Sequence, residues 1–292
     1  MFGVVMKYSS HNFNIRNLLP NDLSAAHAMT LDLKWPHRLE DWQQIVSLGP
    51  SLVMEDAGKV IGTACLVPQG KFASVGLVVI ANEYQGRGLG RRMMEAVMDI
   101  VTPGTNLYLT ATVMGKPLYE KLGFVDYRVI EQYQTTVNVE QLRLVTVDNL
   151  ELRDLTTTDI SVLKRLMNVA MDMNRDDISE LMVKESSSIK VLESEGLVKG
   201  FACYRPFGRG FAIGPVVAES ETNALALISE LLHCADGQFV RLDIDAYSLE
   251  IASYLSECGF DKVDTVSQMV KGQLPDISSS YRQYCLFTQA IG

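Results

Sequence analysis

The chain writes one pattern twice, and that repetition limits its architecture more than any single motif. Asn14-Ile15-Arg16-Asn17-Leu18, followed by Asn21-Asp22-Leu23-Ser24, returns as Glu151-Leu152-Arg153-Asp154-Leu155 and Thr158-Asp159-Ile160-Ser161. Val60-Ile61-Gly62-Thr63-Ala64-Cys65 returns as Val198-Lys199-Gly200-Phe201-Ala202-Cys203, and Leu122-Gly123-Phe124 as Cys258-Gly259-Phe260. The offsets are 137, 138 and 136, so order and spacing both survive. Self-similarity in register means that one structural unit is used twice. The reading is two like domains, 1–137 and 150–292, joined by a linker over 138–149. The length of 292 residues suits two domains of ordinary size.

Each half has the same plan. A short strand at Phe13–Leu18 leads to a helix announced by Asn21-Asp22, good N-capping residues. A second helix over Leu39–Leu48 stops at Gly49-Pro50. Strands at Leu52–Glu55 and Lys59–Val67 flank the hairpin turn Asp56-Ala57-Gly58. The near-continuous apolar run Ser74–Ile80 reads as a central strand buried on both faces. A long helix over Gly88–Ile100, a strand at Leu107–Ala111, a helix over Lys116–Leu122 and a strand after Phe124 complete the unit. Strands and helices mix without strict alternation, which predicts an α+β fold with a mostly antiparallel sheet.

Charge and cysteine usage exclude several classes. The net charge of -9 leaves no basic surplus for nucleic acid or an anionic membrane, and mildly favours cationic small molecules. Five well-separated cysteines (Cys65, Cys203, Cys234, Cys258, Cys285) show no metal-ligand spacing and suggest free thiols in a reducing cytoplasm. Met1–Met6 is apolar but too short for a signal peptide, and no apolar run is long enough to span a bilayer.

The chemically suggestive segment is Gln85-Gly86-Arg87-Gly88-Leu89-Gly90-Arg91-Arg92, between the buried strand and the long helix. Glycines let the backbone approach an anion, and the first helical turn adds unpaired N–H groups and the positive end of the dipole. A dinucleotide fingerprint would need an acidic ribose partner about 20 residues on, where only Gly104-Thr105-Asn106 stands. A P-loop would need Gly-Lys-Ser/Thr, which is absent.

Gln85, Gly88 and Gly90 meet the Gln/Arg-x-x-Gly-x-Gly/Ala signature, and Gly115 with Tyr119-Glu120-Lys121-Leu122-Gly123-Phe124 supplies a second motif in the right order. On these motifs the chain resembles the GNAT acyltransferase superfamily over most of residues 13–135. The resemblance implies two tandem GNAT-like domains, each with a mixed, mostly antiparallel sheet flanked by helices, and acetyl-CoA as cofactor. It implies that Val78, Val79 and Ile80 pair with the pantetheine arm, and that Gln85, Gly86, Arg87, Gly88, Leu89, Gly90 and Arg91 hold the diphosphate. Tyr119 would be the general acid, donating a proton to the leaving thiolate. Thr112 stands where many members carry an asparagine that meets the pantetheine; a hydroxyl can make one such bond.

An amine acceptor with a reference pKa near ~10.4 must lose a proton before it attacks. Trp35-Pro36-His37-Arg38-Leu39-Glu40-Asp41-Trp42 falls where the family builds its acceptor pocket. His37, Glu40 and Asp41 are candidate bases or pocket residues, with Trp35 and Trp42 against the substrate; Glu83 is a further carboxylate, and a solvated packing corner is the plain alternative.

In the second half the glycines are replaced by Ala218-Glu219-Ser220-Glu221-Thr222, and Leu255 takes the place of Tyr119. That half is expected to be a degenerate copy without cofactor. Its Arg205-Pro206-Phe207-Gly208-Arg209 could clamp an anionic substrate group through Arg205 and Arg209, or form a simple hairpin turn. The tail, Tyr281–Gly292, is apolar enough to dock as a strand. The expected function is N-acetyl transfer to a small amine, in a chain whose halves form a pseudo-dimer. An acyl-CoA sensor without turnover is the alternative.

Overall fold

The computed structural model describes residues 13–292, so Met1–Met6 lies outside the described residues. The first half runs β1 (Phe13–Asn17), α1 (Leu23–Asp32), α2 (Leu39–Ser47), β2 (Ser51–Asp56), β3 (Lys59–Gln69), β4 (Phe72–Ile80), α3 (Leu89–Asp99), β5 (Asn106–Ala111), α4 (Lys116–Lys121) and β6 (Val125–Thr136). The second runs β7 (Glu151–Asp154), α5 (Ile160–Met171), α6 (Asp176–Glu185), β8 (Ser188–Ser194), β9 (Leu197–Phe207), β10 (Gly210–Ala218), α7 (Glu221–His233), β11 (Phe239–Asp245), α8 (Leu249–Glu257), β12 (Asp261–Lys271) and β13 (Arg282–Cys285). The expected elements are present in order, and the tail does dock as a strand.

The halves share one sheet of 13 strands, in the order β1-β2-β3-β4-β5-β12-β6-β11-β13-β10-β9-β8-β7. Its pairings are antiparallel except β4–β5 and β10–β11. Hydrogen bonds cross the repeat boundary at the centre. β12 of the second half pairs with β5 of the first from Ser267↔Ala111 to Lys271↔Leu107. β6 in turn pairs with β12 on one side and β11 on the other. The 138–149 segment is pinned along the second half: Val145 N–H donates to Ser229 Oγ at 3.1 Å, and Arg143 O accepts from Tyr254 Oη at 2.8 Å.

Alternating residues of each strand serve opposite faces. On one face, Leu66, Val75 and Leu109 of the first half pack with Met93, Met94 and Val97 of α3. Leu192, Ile213 and Leu242 of the second half pack likewise with Leu227, Ile228 and Leu231 of α7. On the other face, α1 and α2 meet α5 and α6 in a core common to both halves, built on Trp42, Leu163, Met167, Phe201 and the tail residues Phe287 and Ile291.

The repeat preserves one electrostatic device. Arg16 grips Asp22 through Nη1 and Nη2 at 2.6 and 2.9 Å and also binds Glu55. Arg153 grips Asp159 at 2.7 and 2.9 Å and binds Glu193 through Nε at 2.8 Å. Each aspartate also accepts a backbone N–H, from Leu19 at 2.7 Å and Thr156 at 2.8 Å, fixing the entry to α1 and α5. The arginine hydrogen bonds hold both aspartates below the ordinary carboxylate range, against the opposing effect of burial. A depressed folded value stabilises above the unfolded pKa of about 4 and loses that effect as pH falls toward the folded value. Asp159→Asn is therefore expected to cost about 1–3 kcal/mol at pH 7. In urea melts the gap from wild type narrows by pH 3; an equal gap at both pH values would show that the ionised pair is not its source.

Candidate active site

The site begins with a fault in the sheet. Thr63 of β3 faces Val79 of β4, but Cys65 faces Gly76, so β4 carries an extra residue between these pairs. Leu77 absorbs it with φ of 50°, an uncommon conformation for a bulky residue. Thr63 Oγ1 donates to Leu77 O at 2.8 Å and braces the bulge. β4 and β5 pair only over Phe72–Ser74 with Asn106–Tyr108. Beyond that point they part, and the edge from Val75 to Ile80 lines a cavity of about 1080 Å³.

At one end of this cavity lies the glycine turn. Gly86 and Gly88 both have φ of 75°, and a Cβ on either would meet no atom within 4 Å, so the backbone there faces open space. No side chain caps the N-terminus of α3. Gln85 Nε2 donates to Ile80 O at 2.9 Å and Asn82 Oδ1 at 3.2 Å, tying the turn to the end of β4. Gln85, Gly86, Gly88, Leu89 and Gly90 line the cavity with Val78, Val79 and Ile80. Arg87 and Arg91 do not: Arg87 donates to Glu83 O at 2.7 Å, and Arg91 pairs with Glu95 at 2.8 Å.

Tyr119 lines the middle of the cavity, its ring edge-on to Phe124 at 6.0 Å. Burial pushes its phenol up to about 12, so it keeps its proton throughout the neutral range. Thr112, also in the lining, accepts Gly115 N–H at 3.2 Å through its hydroxyl oxygen, and so fixes the turn into α4.

Among the acceptor candidates, Trp35 and His37 line the cavity, and the others serve the fold. Trp42 is fully buried and donates from Nε1 to Thr30 Oγ1 at 3.1 Å. Asp41 caps α2: it accepts Arg38 N–H at 2.8 Å, grips the Arg38 guanidinium at 2.7 Å, and reaches Gly208 N–H at 3.4 Å. Glu40 is exposed outside the cavity, and Glu83 pairs with Lys59 at 2.7 Å. Arg205 is buried between Phe207 and Phe287, with its guanidinium 4.9 and 4.2 Å from their rings, and donates to Phe287 O. The expected clamp of Arg205 with Arg209 is therefore not formed; Arg209 alone reaches the cavity.

Several lining residues escaped the sequence reading. Gln132 and Gln134 of β6 face Asp243 and Arg241 of β11 in the ladder, so their side chains share one face. Arg241 donates to both oxygens of Asp243, at 2.9 and 2.8 Å. Phe207, Phe239, Thr288 and Gln289 complete this end. The available signal was the alternation Val240, Leu242, Ile244 against Arg241, Asp243, Asp245, a strand with one polar face.

Profiles of the acetyltransferase (GNAT) domain match residues 48–126 and, separately, 164–283, together well over half of the chain. The chain belongs to the GNAT acetyltransferase family. That membership makes it an acyltransferase enzyme. It is 27% identical over 242 residues to an uncharacterized N-acetyltransferase, YitH, of Bacillus subtilis, covering 81% of this chain and 82% of that protein. Its fold is similar to that of a Pyrococcus horikoshii protein provisionally assigned as an acetyltransferase, with TM-score 0.79, 19% identity and 98% of each chain covered. It is similar also to a tandem GNAT protein from the clavulanic acid biosynthesis pathway, with TM-score 0.65, 13% identity, and 89% of this chain and 98% of that one covered.

The second GNAT unit repeats the parting of strands and then fills it. β10 and β11 pair in parallel at Phe211↔Val240 and Ala212↔Arg241, after which β13 enters between them, with Cys285 facing both Val216 and Ile244. The N-terminus of α7 is closed from within: Ser220 Oγ accepts Asn223 N–H at 3.2 Å. The space and the free amides that the first unit offers are here satisfied by the chain itself.

His37 is buried with neither ring nitrogen hydrogen-bonded among the described residues, and lies 5.5 Å from the Phe207 ring. Burial, then the positive charge of Arg241, lowers its pKa to about 4. The unfolded chain takes up this proton near pH 6.5, so the residue's effect is to destabilise the fold as pH falls from there toward 4. In an NMR titration one of the four histidines is expected to stay neutral from pH 8 to 5, its signal missing in His37→Asn. A midpoint near 6.5 for that signal would contradict the buried placement.

Proposed function

We propose that this enzyme transfers the acetyl group of acetyl-CoA to a primary amine of a small acceptor, at a single site in the first half. The observation that carries the reading is the coincidence of three features on one cavity: parted strands, an uncapped helix N-terminus and a glycine turn facing open space. A diphosphate fits that turn, because its oxygens can take up amides that no side chain satisfies. Bound there, acetyl-CoA supplies the activated thioester.

The chain's residues then have separate tasks. The exposed edge at Val78–Ile80 offers backbone groups to the pantetheine amides, and an N–H beside the Leu77 bulge polarises the acyl carbonyl. The amine attacks that carbon and the carbon–sulfur bond breaks. Tyr119 gives its proton to the departing sulfur. Burial keeps that phenol protonated at neutral pH, ready to donate when the thiolate forms. Of the expected candidates only His37 faces the cavity, since Asp41 is fully engaged and Glu40 and Glu83 lie outside it; with its pKa lowered to about 4 it is too weak a base to hold the amine's proton, which passes to solvent.

Thiol release from acetyl-CoA over a panel of amines tests the activity. Tyr119→Phe is expected to slow single-turnover acyl transfer by about 10²-fold while coenzyme A affinity stays nearly constant. Unchanged transfer would remove the acid role. Gly88→Asp, which forces a side chain into a left-handed position and sets a carboxylate beside the diphosphate, is expected to abolish coenzyme A binding in calorimetry.

A further inference from the structure

The cavity has the opposite charge to the chain. Against a net charge of -9, its charged lining residues are Lys34, Arg209 and Arg241 with Asp264 opposing; Arg241 is already paired with the buried carboxylate of Asp243, which leaves Lys34 and Arg209 as the lining cations without an acidic partner among the described residues. Asp243 cannot balance a bound cation. Its oxygens are held by two nitrogens of Arg241, and Gln289 Nε2 donates to it at 2.9 Å. The third nitrogen of Arg241, Nη1, has no hydrogen-bond partner among the described residues. Arg209, unlike Arg241, has no carboxylate partner among them: it stacks on Phe239 at 4.4 Å and donates to Gln134 Oε1 at 3.2 Å. Gln134, which Arg209 contacts, also faces Arg241 across the β6–β11 ladder. Beside them His37, buried and without a ring hydrogen bond among the described residues, faces the same space across Phe207.

We infer that the acceptor is an amino carboxylate, whose carboxylate is taken by Arg209 beside Gln134 while its amine is directed along the cavity toward Val78–Ile80. A planar guanidinium suits a planar carboxylate, and an arginine without an acidic partner has donors to give. A simple polyamine would instead meet like charge there. The inference rests on the acyltransferase reading for the direction of the amine, and it reverses the preference for cationic acceptors that the overall charge suggests.

The test is calorimetric titration of N-acetyl-amino acids and their uncharged C-terminal amides into the protein, with and without coenzyme A, with N-acetyl-dipeptides as a further arm. The acid of at least one pair is expected to bind roughly tenfold or more tightly than its amide. Arg209→Gln is expected to erase that advantage and leave coenzyme A affinity unchanged. Tight dipeptide binding would assign the carboxylate to a peptide end, weak binding to a free amino acid. Amides that bind as well as acids, or no binding by any acid, would overturn the inference. Failure of coenzyme A to bind would overturn the cofactor site alone, because acid and amide are also compared on the free protein.

Discussion

β4 and β5 hold together for three residues and then part, and the rest of the site depends on that parting. A parallel pair left open inside a continuous sheet leaves backbone donors and acceptors unpaired, a cost the chain can bear only where something else takes them up. The bulge at Leu77 turns β4 away from its neighbour, and the Thr63 hydroxyl fixes the displaced carbonyl. The glycine turn, the free end of α3 and Tyr119 all open onto the space so made.

The two units answer the same problem in different ways. In the second, β13 occupies the equivalent opening and Ser220 closes the helix end, so the fold is completed by covalently attached chain. The first unit leaves both features open. The second is not idle, because Phe207, Arg209, Phe239 and Arg241 wall the far end of the first unit's cavity, and Thr288, Gln289 and Ala290 of the tail join them.

What could be read in the sequence was what is local. Gln85–Gly90 and Tyr119 sit in short segments whose spacing alone carries their geometry, and the repeat carried the element order. The far wall of the cavity was read poorly because its residues come from β6, β9, β11 and the tail, which only the folded sheet brings together. Trp42, Asp41 and Arg205 looked available as residue types, yet burial and capping had already engaged them. No pattern within β12 indicates that it pairs with β5, since its apolar residues would suit either half. Strand exchange of this sort is decided by partners far apart in the chain.

That exchange has a consequence for the order in which the molecule is made. β5 and β6 are synthesised early, but β12, the strand that lies between them, emerges about 125 residues after β6 ends. The edges of β5 and β6 that face β12 therefore have no native partner while the intervening residues are made, and the native sheet closes only once β12 is available, up to residue 271. Such long-range pairing is slow and exposes apolar strands while it waits. A first unit complete in its motifs by residue 124 thus reaches its final form only near the end of synthesis, and the two repeats must mature as one.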